Sequence, residues 1–223
     1  MKEHGFLMQT ELFRGVQLQE MPELLSCLKA RKKRFRRDQV ILRAGDCPRE
    51  FGLVLSGSVD LSVNYYWGGS SLLGRIGKGD IFAETCAALP GQEMRWDAVA
   101  AEDTEILFLD MEAVMTPCES NCAFHNRLIR NVIRISAGKN LQLSARMMHT
   151  APKTIRERLL SYLTEQASAA GSPHFTIPFS RQQLADYLEV DRSALSNELS
   201  KMRRDGLITC RKNDFTLLHA QEN

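Results

Sequence analysis

The sequence predicts an α+β chain: an antiparallel β-barrel or sandwich, then one long helix, then a winged helix-turn-helix. Three observations carry that expectation. Between about Lys33 and Met111 short β-type runs alternate with glycines. From about Asn121 the turn signals stop and one extended helical pattern takes over. From Pro152 onward short helical patterns with capping residues follow each other closely. With 223 residues, 43% of them hydrophobic and 25% charged, the chain is long enough to bury a core in each of two domains.

Composition excludes several classes of function. The apolar runs are short and interrupted, so none approaches the roughly 20 residues that span a bilayer. The start MKEHGFLMQTELF lacks a signal-peptide pattern, and a cytoplasmic protein with no membrane partner is expected. Six cysteines (Cys27, Cys47, Cys86, Cys118, Cys122, Cys210) are scattered rather than spaced as a disulfide framework, so thiols are expected. There is no Walker-type loop, no HExxH and no GxSxG, and the five histidines are dispersed, so catalysis is not expected.

The elements follow in order. "RKKRFRRD", Arg31 to Asp38, could serve as a nucleic-acid patch, but its alternation with Phe35 and its run into "QVILRAGD" favour a solvated strand. "FGLVLSGSVDLSV", "SSLLGRIGKGDIF" and "DAVAAEDTEILFLD" supply further strands, with each glycine expected at a turn of positive φ. "FHNRLIRNVIRISAGKNLQLSARMM" reads as one helix that tolerates Gly138. Its row Leu128, Val132, Ile135 suits packing on the β domain. A second row, Ile129, Ile133, Ser136, Asn140, Leu143 and Met147, has coiled-coil spacing and suits a dimer seam.

After "HTAP" a new helix is expected to carry Pro152 in its first turn and to end at Gly171. "HFTIPF" is a short strand. Ser180 caps "RQQLADYL" and Asp191 caps "RSALSNELSKMRRDG", with only a tight turn between them, and "LITCRK" and "DFTLLH" form a β wing. The domains expected are 1–117, a long helix 118–148, a hinge 149–152 and a winged helix-turn-helix 153–223. In the second capped helix Leu195, Leu199 and Met202 face inward. Arg192, Ser193, Ser196 and Asn197 then face outward at the end that enters a major groove. Arg192 suits guanine, Asn197 suits adenine, and Ser193 is permissive. Ser180, Arg181, Lys201 and Arg203 suit phosphates.

With these residues in view, the chain resembles the Crp/Fnr family of transcription regulators over nearly its whole length. The carriers are "GDCPREFGLVLSGSVDL" (Gly45 to Leu61) and "GKGDIFAE" (Gly77 to Glu84), which resemble the β-roll of cyclic-nucleotide-binding domains. "FSRQQLADYLEVDRSALSNELSKMRRDGLI" is similar to the family's winged helix-turn-helix. The resemblance implies a β-roll (a jelly roll, or double-stranded β-helix), a long dimerisation helix and a homodimer on a near-palindromic DNA operator. It further implies contacts with RNA polymerase and a response to a small-molecule effector. It places Arg192, Ser193 and Asn197 at base-reading positions where members commonly carry Arg, Glu and Arg, so an operator unlike the standard one is expected.

The effector pocket departs from the cAMP-binding pattern. The glycine-glutamate pair that holds ribose in cAMP binders reads Ala83-Glu84 here, and the arginine-serine pair that holds phosphate lies nearest Arg95-Trp96, where Trp96 would crowd a cyclic phosphate. The polar pair that reaches the base aligns with Lys139 and Asn140. An effector other than cAMP is therefore expected, and Glu84 with Arg95 could instead close an empty pocket as an ion pair. An iron-sulfur cluster is not expected, because no cysteine precedes Cys27. Cys118, Cys122 and His125, spaced four and three apart, could hold a metal or haem, although buried thiols are the commoner outcome of such a pattern. Cys27 and Cys210 could form a redox lock. The alternative function is a regulatory module acting through protein partners or through thiol or metal redox chemistry, without a small-molecule ligand.

Overall fold

Residues 2–116 and 123–218 are described by the computed structural model. They divide into two compact units, with the boundary between Gly138 and Lys139.

In the first unit α1 (Lys2–Leu7) and α2 (Met21–Cys27) precede β1 (Arg31–Phe35), β2 (Val40–Leu42), β3 (Glu50–Ser56), β4 (Val59–Asn64), β5 (Ser70–Ile76) and β6 (Ile81–Phe82). A single turn of helix, α3 (Glu84–Ala87), leads to β7 (Asp97–Ala100), β8 (Thr104–Asp110) and α4 (Met111–Met115). The strands form two four-stranded antiparallel sheets, in the orders β1-β8-β3-β6 and β2-β7-β4-β5. This is the roll that the glycine-broken runs suggested.

Strands β3 and β8 explain why "FGLVL" and "ILFL" are apolar without alternation. One face of each (Phe51, Leu53 and Leu55; Leu107 and Leu109) packs with α1 and α2, while the other (Val54; Ile106 and Phe108) lines the roll interior with Phe82, Val59 and Ala98. A strand buried on both sides has no solvent face on which to place polar residues.

Two expectations about this unit need correction or refinement. Gly52 lies inside β3 and serves a close approach rather than a turn: a Cβ there would run into the Phe82 ring. The first part of the basic run forms a strand, as the alternation suggested, and the two arginines in that strand are matched across the sheet. Arg31 makes paired hydrogen bonds of 3.1 and 2.5 Å to Glu50, and Arg34 lies 2.9 Å from Glu105. These exposed pairs offset two of the run's charges and add little to stability.

The long helix α5 (Ala123–Thr150) begins in the first unit and ends in the second. Phe124 and Leu128 are buried against the first core, with Val132 and Ile135 half-buried beside them. Ile129, expected in the second row, is half-buried against the same core. Asn131, also buried, donates from Nδ2 to the carbonyls of Leu12 (3.0 Å) and Arg14 (2.9 Å), which ties down the segment after α1. Farther along the second row Ile133, Leu143 and Met147 are 61%, 64% and 70% exposed.

In the second unit α6 (Ile155–Ala170), β9 (His174–Thr176), α7 (Arg181–Tyr187), α8 (Arg192–Arg204), β10 (Ile208–Arg211) and β11 (Asp214–Leu217) follow α5. Pro152 does not open α6. Thr154 caps it instead, accepting from the Glu157 amide (3.2 Å) while the Glu157 carboxylate accepts from the Thr154 amide (3.2 Å). That reciprocal box satisfies two orphan donors, which a proline in the first turn would not. The wing pairs β10 with β11, and β9 joins as a third antiparallel strand. Leu159, Leu163, Leu184, Leu195, Leu199 and Met202 meet in one core beneath it.

Candidate nucleic-acid interface

The helix-turn-helix is set by local chemistry. Ser180 caps α7 through a second capping box with Gln183, and Asp191 caps α8 by accepting from the amides of Ser193 (2.8 Å) and Ala194 (2.9 Å). Between them the backbone turns at Glu189, whose φ of +56° is unusual for a residue with a side chain. Helix α8 buries Leu195, Leu199 and Met202 and exposes Arg192, Ser193, Ser196, Asn197, Lys201 and Arg203. That is the division its apolar spacing required.

The exposed side chains differ in what they can still offer. Arg192 and Asn197 make no side-chain hydrogen bond within the described protein, so their donors and acceptors face outward. The Ser193 hydroxyl donates to the Asp191 carboxylate, which leaves Ser193 only its oxygen lone pairs to offer. The Ser193 hydroxyl and then the Ala194 amide hold the Asp191 carboxyl below the ordinary carboxylate range. Ser196 and Ser200 donate back to the Arg192 and Ser196 carbonyls at 2.9 and 3.0 Å. Arg181 is less available than expected: its guanidinium lies 5.0 Å from the Phe215 ring centroid and reaches the Cys210 sulfur at 3.5 Å, and so braces the wing.

Sequence reasoning passed over three contributors. Arg156 of α6 bonds Glu198 (2.6 Å) and Asp205 (2.6 Å), and so pins the middle and end of α8. Arg211 and Lys212 are exposed at the tip of the wing, where Lys212 takes a φ of +53°. The basic pair in "RKND" was their only sequence signal.

The residues expected to hold an effector are divided between the units. Ala83 has φ +63°, the left-handed region that favours glycine, and caps α3, whose first residue Glu84 is buried. Arg95 is exposed, whereas Trp96 packs on the interior cluster of Val54, Phe82, Met94 and Phe108, and its buried Nε1 has no hydrogen-bond partner among the described residues. Lys139 and Asn140 belong to the second unit, where Asn140 accepts from Ser144 at 3.4 Å. Cys118 and Cys122 lie outside the described residues. His125 is buried and its Nδ1 has no partner among the described residues. Cys27 in α2 and Cys210 in β10 belong to different units. No helix among the described residues is long and apolar enough to cross a membrane.

A roll of two antiparallel sheets, a long helix and a capped helix-turn-helix with a wing define the class of transcription regulators that join a cyclic-nucleotide-type domain to a DNA-binding domain. Family models agree: residues 32–121 match the cyclic nucleotide-binding domain and residues 157–222 match the Crp-like helix-turn-helix domain. The chain belongs to the Crp/Fnr family of transcription regulators.

Solved structures share the fold. The catabolite activator protein of Thermus thermophilus is 24% identical with a TM-score of 0.50, over 94% of each chain. CprK complexed with OCPA is 14% identical with a TM-score of 0.65, over 90% of this chain and 92% of that one. The c-di-GMP-responsive regulator CLP of Xanthomonas campestris is 17% identical with a TM-score of 0.57, over 92% of this chain and 100% of that one. Comparison with curated proteins gave no match.

Proposed function

We propose that the chain acts as a homodimer that reads a near-palindromic operator in double-stranded DNA and controls transcription through RNA polymerase, under an effector other than cAMP. The observation that carries this reading is the exposed, capped start of α8, with Arg192 and Asn197 facing outward. A guanidinium there suits the O6 and N7 edge of guanine, and an amide suits adenine. Ser193 acts as an acceptor. Ser180, Lys201 and Arg203 lie on exposed positions that suit phosphates, with Arg181 contributing from its stacked position.

Self-association is supported by the apolar residues that α5 leaves exposed, Ile133, Leu143 and Met147, with Ser136 and Asn140 as polar members of the same row. A dimer brings two recognition helices to a separation of about 34 Å, one turn of the duplex. Effector binding then shifts a population between spacings, transmitted through residues 149–152, where α5 ends ahead of α6.

At Arg95 and Trp96 the residues do not fit a cyclic phosphate: the guanidinium is exposed, and an indole packs where a hydroxyl would be needed. We assign the effector role to the roll, at Ala83, Glu84, Arg95 and Trp96, with a ligand of different chemistry.

Selection of random duplexes with the full-length protein tests this reading. Enrichment of a motif with two inverted half-sites supports it, and enrichment of nothing over input defeats it. Leu143→Asp should lower the mass seen in sedimentation from dimer to monomer and abolish binding to the paired half-sites.

A further inference from the structure

The end of the long helix is bolted to the helix-turn-helix. Arg146, in the penultimate turn of α5, donates to the carbonyls of Tyr187 (3.3 Å) and Asp186 (3.4 Å), pairs with the Glu189 carboxylate at 3.3 Å, and stands 5.8 Å from the Tyr187 ring centroid. Those carbonyls close α7, where intrahelical donors are running out and the helix dipole favours a cation. Arg158 of α6 takes the next two, donating to Leu188 (3.0 Å) and Glu189 (3.3 Å), and also to Pro152 (2.8 Å). Two arginines therefore hold every carbonyl from Asp186 to Glu189, the stretch that turns α7 into α8 at a positive φ.

His149 adds a buried second anchor. It is 2% exposed, with Nδ1 2.9 Å from the Tyr187 hydroxyl and Nε2 2.5 Å from the Glu165 carboxylate. An ionised carboxylate only accepts, so Nε2 donates to Glu165, while Nδ1 faces the Tyr187 hydroxyl. The ring sits edge-on to Tyr162 at 5.4 Å and tilted to Tyr187 at 5.8 Å, and Tyr162, Phe179 and Tyr187 cluster with centroids 5.0 to 6.0 Å apart. The compact unit that contains the helix-turn-helix begins at Lys139, so both anchors lie within the DNA-binding unit.

We propose that Arg146 and His149 are positioning residues for DNA recognition. They fix the α7–α8 turn, and through it the start of α8, to the last turns of the long helix. A rotation of α5 then reaches Arg192 without being absorbed between residues 149 and 152. This rests on the reading of α8 as the DNA-reading helix, and the test separates the two.

The full-length protein and the variants Arg146→Ala, Arg146→Lys and His149→Phe are compared with Arg130→Ala, which removes an exposed charge from α5 away from the clamp. Hydrogen exchange is read at the Glu189 and Val190 amides, which bond the Asp186 and Ala185 carbonyls. Binding is read on a duplex enriched by the wild-type protein and on a scrambled duplex.

For Arg146→Ala, exchange at both amides should quicken by about tenfold or more. Its affinity for the enriched duplex should fall about tenfold, and its affinity for the scrambled one no further than in Arg130→Ala. His149→Phe should move both readouts in the same direction. Arg146→Lys should not restore them, because one ammonium cannot span two carbonyls and a carboxylate. Unchanged exchange, or equal losses on both duplexes, would overturn the proposal. If no duplex is enriched, the DNA reading fails, while unchanged exchange would still refute the clamp on its own.

Discussion

The roll and the helix-turn-helix offer different things at their helix starts. At the α8 start both the backbone and the chemistry suit a polyanion: the caps are intact, and Arg192 and Asn197 face outward. At the α3 start the backbone is left-handed and the acidic side chain of Glu84 is buried. Ala83 sits at φ +63° where a glycine would be unstrained, and the neighbouring interior is filled by Phe82, Phe108, Met94 and Trp96. The contrast teaches that two helix starts in one chain can differ in the chemistry they offer while each is held in shape by its own core. Shape is maintained by the whole core, whereas ligand chemistry depends on a few side chains.

Hollowing the roll should have the largest effect: Phe82→Ala should cost about 3–5 kcal/mol in chemical denaturation, because the ring fills the space over Gly52. A cost under about 1 kcal/mol would mean that the interior is loose enough to take a ligand without rearranging. Arg192→Ala should leave stability unchanged and weaken binding of an enriched operator by about 1–3 kcal/mol. Ser180→Ala should cost about 1 kcal/mol in thermal unfolding by removing the α7 cap.

Ala83→Gly should stabilise the first unit by about 0.5–1 kcal/mol through relief of the left-handed backbone. A loss of stability would show that the alanine methyl is needed for packing. The smallest effect concerns pH. Burial pushes the Asp110 carboxyl up, but the Ala113 amide and Lys29 outweigh it and hold the group below its ordinary value. Its stabilisation is therefore complete above about pH 3.9 and is lost as the pH falls through the lower folded value. Asp110→Asn should flatten that acid limb in a pH series of denaturation curves.

What was legible in the sequence was local. The Ser180 and Asp191 caps, the inward triplet Leu195, Leu199 and Met202, and the glycine-broken strands each declare themselves within a few residues. "TIRE" carried an equally local capping box at Thr154, but the proline two residues earlier drew the helix start toward itself. Gly52 could not be read, because its reason is a ring thirty residues away in the chain. The grip of Arg146 on Asp186 and Tyr187 and the stacking of Arg181 on Phe215 are also long-range contacts. Side-chain type told which residues could meet a phosphate or a base, but not which were already engaged within the protein.

The most direct test of the central claim is fluorescence anisotropy on the selected operator and its single-base variants, comparing wild type, Arg192→Ala and Lys201→Ala. If α8 reads bases through Arg192, its alanine variant should lose discrimination at one position of each half-site and keep it elsewhere, while Lys201→Ala weakens every sequence alike. Equal losses across all sequences for Arg192→Ala would contradict the account.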